Sequence, residues 1–158
     1  MPNYYIDTSA LKWRYLNGNP TAYVNGIMDD PNSEVITSEF TMLEWSNALA
    51  SVLKEHIIDF STFKTNERAL MTDIAGDRLF LSPFARSIEK ARYLIEFIGA
   101  LHRRSLRTGD SIHLISAIEI STVKRERYTF VTSDQRLASI IQDFDLFHAY
   151  LSPMYLAR

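Results

Sequence analysis

Cysteine is absent from this 158-residue chain, so a disulfide framework and thiolate metal sites are both excluded. Long apolar runs are missing too. No stretch approaches the ~18 apolar residues of a membrane helix. The opening MPNYYIDTSALKWRY has no apolar run behind a basic start and does not read as a signal peptide. No membrane association is expected, and a reducing cytoplasm is the expected compartment. An excess of basic charge is also lacking: 17 basic against 19 acidic residues leave a net −2. Nucleic-acid-binding domains are often strongly basic, so any RNA contact has to come from a local patch. Several carboxylates in one site would hide such a patch in the total. With no internal repeat and no low-complexity linker, residues 1–158 are expected to form one domain. At this length it should bury roughly two-thirds of its unfolded surface.

Short apolar runs alternate with helical patterns, which predicts an α/β fold around a central, mostly parallel sheet flanked by helices. Strands are expected at Tyr4–Ile6, Glu34–Thr37, Leu79–Leu81 and Tyr128–Thr132, with an edge strand over Phe147–Leu151. Thr8 or Ser9 is the expected cap of a short helix over Leu11–Leu16, stopped by Gly18 and Pro20. Ser38 should cap a helix running to about Glu55. Further helices are predicted over Ser61–Thr72, Ser87–Leu101, Asp110–Ser121 and Asp134–Gln142.

Four acids recur in telling places. Asp7 and Asp134 each lie just past the C-terminal end of a predicted strand, where open α/β sheets bind ligands. Asp110 opens a helix directly after Gly109. Glu44 shares the i, i+4 stripe of Phe40, Ala48 and Val52, so it is expected on the buried side, where a lone carboxylate is costly unless paired or metal-bound. Clustered carboxylates repel one another unless a counter-charge joins them. Oxygen-only ligation without cysteine favours Mg²⁺ or Mn²⁺ over zinc. Such a metal can activate water against a phosphodiester.

The segments YYIDTSAL, ITSEFTMLEWSNAL, LRTGDSIHLISAI and FVTSDQRLA resemble the successive signature segments of the PIN domain. The chain is most similar to the VapC-type toxin ribonucleases of type II toxin–antitoxin systems, over nearly its whole length and in the right order. The resemblance implies that Asp7, Glu44, Asp110 and Asp134 form a catalytic, metal-binding quartet, supported by Ser9 and Thr132. It implies a Mg²⁺- or Mn²⁺-dependent endoribonuclease acting on transfer, ribosomal or messenger RNA. It also implies a homodimer and a small antitoxin that inserts a C-terminal segment into the groove. The sequence departs from the family pattern at Gly109-Asp110-Ser111-Ile112-His113, and in a longer segment before Ser87.

His113 lies one turn after Asp110 and could act as a general base, but packing and hydrogen bonding are the preferred roles. Arg103, Arg104, Arg107 and Arg136 are candidate contacts for RNA phosphates. Trp13, Trp45 and the tyrosines are expected in the core or in dimer contacts. One alternative is a non-catalytic module that binds RNA or a partner. Another is a phosphotransferase of the haloacid-dehalogenase type, but that chemistry wants a second acid two residues after Asp7, where Ser9 stands.

Overall fold

The apolar runs near the N-terminus and around Phe130 lie side by side in one sheet. The computed structural model describes residues 1–84, 87–102 and 104–157. Its strands are β1 (Asn3–Ile6), β2 (Glu34–Ser38), β3 (Phe80–Ser82), β4 (Tyr128–Thr132) and β5 (Leu151–Tyr155). They pair in the order β3-β2-β1-β4-β5, and every pairing is parallel. Parallel neighbours require crossover connections, which the helices supply. These are α1 (Thr8–Leu11), α2 (Thr21–Asp29), α3 (Phe40–Lys54), α4 (Phe60–Ala75), α5 (Ser87–His102), α6 (Thr108–Lys124), α7 (Gln135–Asp143) and α8 (Asp145–His148).

The sheet is covered on both faces, as an all-parallel sheet must be. Successive strand residues point to opposite sides. Tyr5, Ile36, Tyr128 and Phe130 therefore enter one core with Leu94 and Ile98 of α5, Leu114 of α6 and Leu137 of α7. Ile6, Val35 and Val131 enter the other with Leu11, Val24 of α2, Trp45 and Leu49 of α3 and Leu70 of α4. The Tyr5 and Phe130 rings stack across the β1–β4 pair at 5.3 Å.

The expected α/β architecture is present, with four local corrections. Asp7, rather than Thr8 or Ser9, caps the first helix, accepting from the Ala10 N–H. That helix ends at Leu11 and tightens into a 3₁₀ turn over Lys12–Arg14. The segment Thr21–Asp29, read only as following a stop, is a helix. Phe147 lies in the short α8, and the last strand begins at Leu151. Ser38 does serve the start of α3, accepting from the Phe40 N–H at 3.2 Å.

Helix α2 is pinned by a partly buried ion-pair cluster. Arg14 binds Asp29 at 2.7 Å and Asp73 of α4 at 3.1 Å, and the Tyr15 hydroxyl donates to Asp73. With only five glycines in the chain, other residues take left-handed backbone positions: His56, Asp77 and Arg125 all have φ of 56°. Arg125 terminates α6, donating its N–H to the Ser121 carbonyl. A side chain there crowds its own carbonyl, a penalty glycine escapes. Arg125→Gly should therefore raise stability by roughly 0.5–1 kcal/mol, measured by urea denaturation. A loss would mean that the Arg125 side chain makes a stabilising contact of its own.

Candidate active site

The strand order changes direction at β1: β2 and β3 lie to one side of it, β4 and β5 to the other. Such a switch point opens a crevice at the C-terminal ends of the two strands flanking it. Asp7 follows β1 and Asp134 closely follows β4, so the topology brings these two acids to the same edge.

Asp7 is 3% exposed. One carboxylate oxygen accepts from the Ser9 hydroxyl at 2.7 Å and the Ala10 N–H at 2.9 Å. The other accepts from the Thr132 hydroxyl at 2.6 Å. Ser9 and Thr132 are themselves 3.1 Å apart, and Ser9 accepts from the Ser133 N–H. Ser9 and Thr132 therefore lock Asp7 to β4. Burial still pushes the Asp7 carboxyl above its ordinary range, despite the nearby His113 ring and these donors.

Glu44 lies on the flank of α3 rather than on its buried stripe, which is Thr41, Trp45 and Leu49. Its side chain is 30% exposed, so the sequence pattern was one position out of phase. Glu44 accepts from the Thr8 hydroxyl at 2.5 Å and meets His113 Nε2 at 2.8 Å. Burial raises its pKa, but the His113 hydrogen bond and attraction, with the Thr8 hydrogen bond, outweigh that and hold it below the ordinary glutamate range. An ionised carboxylate only accepts, so Nε2 carries the proton. His113 Nδ1 lies 3.0 Å from the Tyr5 hydroxyl, whose pKa burial raises well above the usual value. Tyr5, His113, Glu44 and Thr8 thus form one hydrogen-bonded chain. Gly109 makes room for it: a Cβ there would collide with Glu44 Oε1 and stand 3.3 Å from the Phe40 ring.

Asp110 lies in the first turn of α6, two residues inside its start, and does not cap it. Asp134 does cap α7, accepting from the Arg136 and Leu137 N–H groups at 2.9 and 3.2 Å. Its second oxygen is 3.4 Å from Arg136 Nη2 and 3.7 Å from Arg107 Nη1. The same Arg136 nitrogen donates to Asp110 Oδ2. Arg104 is engaged elsewhere, with Asp143 at 2.7 Å. Arg103 lies outside the described residues. A groove of about 740 Å³ runs past Arg107, Asp134, Gln135, Arg136, Ser139 and Tyr155.

The structure thus joins Asp110 to Asp134 through Arg136, and Asp7 to Ser9 and Thr132. Glu44 joins His113 instead. Among the described residues no three acidic or imidazole groups form a metal cage. The donor chemistry still fits a hard cation: the groups are oxygen anions, and the Arg136 guanidinium already stands in for a cation between two of them. Sequence reasoning missed Thr8, Tyr5 and Gly109. A hydroxyl directly after Asp7 was the available signal for Thr8, while the Gly109 contact is visible only in three dimensions.

No protein-family model and no curated protein matches the chain. Solved structures do. A chain of VapBC2 from Rickettsia felis, bound to a DNA fragment from their promoter, has a TM-score of 0.62 at 12% identity, over 96% of this chain and 98% of that one. VapBC-5 from Mycobacterium tuberculosis, of the VapBC family of toxin–antitoxin systems, scores 0.61 at 13% identity, over 99% and 100%. FitAcB from Neisseria gonorrhoeae scores 0.59 at 16% identity, over 94% and 95%. At these identities the likeness defines the fold: the chain has the PIN-domain fold and is VapC-like in architecture.

The raised pKa of Asp7 makes a stability prediction. A buried acid of this kind contributes stability only below its unfolded pKa, and loses it as pH rises through the folded value. At neutral pH its charge is therefore a cost. Asp7→Asn should raise the melting temperature of the metal-free protein at pH 7, and the gain should shrink as pH falls to about 4, near the unfolded aspartate pKa. A lower melting temperature at pH 7 would contradict this.

Proposed function

We propose that the chain, as a single PIN domain over residues 1–158, is a Mg²⁺- or Mn²⁺-dependent endoribonuclease and the toxin of a toxin–antitoxin pair. The observation that carries this reading is the placing of Asp7 after β1 and Asp134 after the neighbouring β4, at one edge of the sheet's switch point, with Asp110 tied to Asp134 through Arg136. Asp7, Asp110 and Asp134 would hold the metal, with Glu44 beside them on α3. When bound, the metal lowers the pKa of a water and stabilises charge on the phosphoryl group. Water adds to phosphorus and one P–O ester bond breaks.

The chain's own groups prepare the rest. Ser9, Thr132 and the Ala10 N–H fix the Asp7 rotamer, so no reorganisation is needed there. His113 and the Thr8 hydroxyl hold Glu44 below the ordinary glutamate range, and Tyr5 holds His113 in place. Arg107, 73% exposed in its side chain, projects where it can meet a phosphate without first leaving a strong partner. Tyr155, 42% exposed at the groove, offers a ring face for a base. The similarity to structures of toxin–antitoxin complexes supports a small antitoxin as partner. Exposed Ile88 and Tyr93 on α5 suit a homodimer contact. Among the described residues no helix is long and apolar enough to cross a membrane, and cellular RNA as substrate would place the protein in the cytoplasm.

Two tests separate this from its main rival. Cleavage of RNA should require Mg²⁺ or Mn²⁺, vanish with chelator, and fall by at least about 10³-fold in Asp110→Asn, a loss of roughly 4 kcal/mol. Gly109→Ala should leave the fold intact, because the tip of Glu44 can swing away and the Phe40 ring has to give by only a few tenths of an ångström, but should lower cleavage by about tenfold or more by displacing that carboxylate. Metal-independent cleavage, or full activity in both variants, would overturn the reading. A non-catalytic binding module is favoured by one observation: His113 and Arg136 already satisfy acids within the chain. Absence of Mn²⁺ binding at millimolar concentration in calorimetry would support that rival.

A further inference from the structure

Arg136 meets the carboxylates of two of the four candidate acids. Its Nη2 donates to Asp110 Oδ2 and lies 3.4 Å from Asp134 Oδ2. Its Nη1 donates to the Ser105 carbonyl at 2.7 Å. Among the described residues Asp110 has no other hydrogen-bond or ion-pair partner. Both carboxylates are more buried than the guanidinium: their side chains are 17% and 19% exposed, against 34% for Arg136. Burial lowers the guanidinium pKa, but Asp110 and Asp134 outweigh that and raise it above the ordinary arginine value.

We propose that Arg136 is a built-in placeholder for the metal, a counter-ion that holds Asp110 and Asp134 together in the metal-free protein and that a divalent cation must displace. This rests on the metal-dependent nuclease reading. The physical grounds are three. Two partly buried carboxylates facing one another repel, and a cation between them removes the repulsion. A guanidinium cannot escape by losing its proton, so it must move bodily when a second cation arrives. It is free to do so: the Arg136 side chain hangs from the first turn of α7 at the edge of the open groove, and only the Ser105 carbonyl holds its other nitrogen.

Displacement makes metal affinity an exchange, weaker than the acids alone would give. Removing the guanidinium should therefore tighten metal binding, the opposite of what a residue supporting the site would do. Binding of Mn²⁺ alone, read by the electron paramagnetic resonance signal of the free ion, tests this without any turnover. Arg136→Gln should bind Mn²⁺ about tenfold more tightly than the parent chain. Arg136→Lys, whose ammonium keeps the charge but lacks the second nitrogen that holds the Ser105 carbonyl, should fall between them. Without metal, Arg136→Gln should melt at a lower temperature than the parent, and Mn²⁺ should raise its melting temperature by a larger amount. If Arg136→Gln does not fold, Arg136→Lys carries the test, with tightening of about threefold expected. Unchanged or weaker Mn²⁺ binding in these variants, with binding to the parent abolished by Asp110→Asn, overturns the placeholder and leaves the metal site standing. No Mn²⁺ binding by any of the chains overturns both.

Discussion

The placing of Asp7 after β1 and Asp134 after β4, at one edge of the sheet, governs the site. Parallel strands 1 and 4 emerge side by side because the chain turns to opposite sides of β1 for its two halves. The molecule answers each charge differently. Asp7 is taken out of water and wrapped in hydroxyl and backbone donors. Glu44 is paired with an imidazole. Asp110 and Asp134 share one guanidinium. Sites that work against folding in this way are where function is expected to concentrate.

That local demand reaches into the scaffold. The Ser9–Thr132 pair joins the segments after β1 and at the end of β4, so the support for Asp7 is also a clasp between neighbouring strands. The Gly109 backbone lets α6 approach α3 closely enough for Glu44 and His113 to meet. The Tyr5 side chain is a core residue stacked on Phe130 and also the far end of the Glu44 chain. Core packing and site polarity are thus continuous: the position of Glu44 is set partly by how a tyrosine sits in the sheet.

Much of this was legible in the sequence. The four main strands could be found because buried parallel strands are short apolar runs, which Tyr4–Ile6 and Tyr128–Thr132 plainly are. The acids after those runs followed from strand-end logic. What failed, failed for physical reasons. Helix α2 carries Gly26 and begins just after Pro20, so propensity hid a helix that is held by the Arg14–Asp29–Asp73 cluster. Phe147 and Leu151 both point into one core, so apolar content could not separate a short helix from the strand after it. Glu44 was placed on the right helix but on the wrong stripe, because Phe40, Ala48 and Val52 are apolar without being the residues that α3 buries most deeply. Glu44 meets His113 and Asp110 meets Arg136 across 69 and 26 residues of sequence, separations that no local pattern records.

The internal pairing of the acids bears on how the two functional readings differ. In a binding module, Arg136 and His113 would be permanent partners, and the acids would be a costly way of making an ordinary polar surface. Breaking even a partly buried pair leaves an uncompensated charge, so such a design gains nothing from setting Asp110 and Asp134 on either side of one guanidinium. In a metal site the same pairs have a purpose. The protein must fold and persist without its cation, and the acids would otherwise repel. A guanidinium on the open side of the crevice provides the missing charge and can leave by moving one side chain, while the Asp7 clasp and the Glu44 chain stay where they are. The arrangement therefore asks for a change in one residue rather than a rearrangement of the fold, which is what a preorganised site requires.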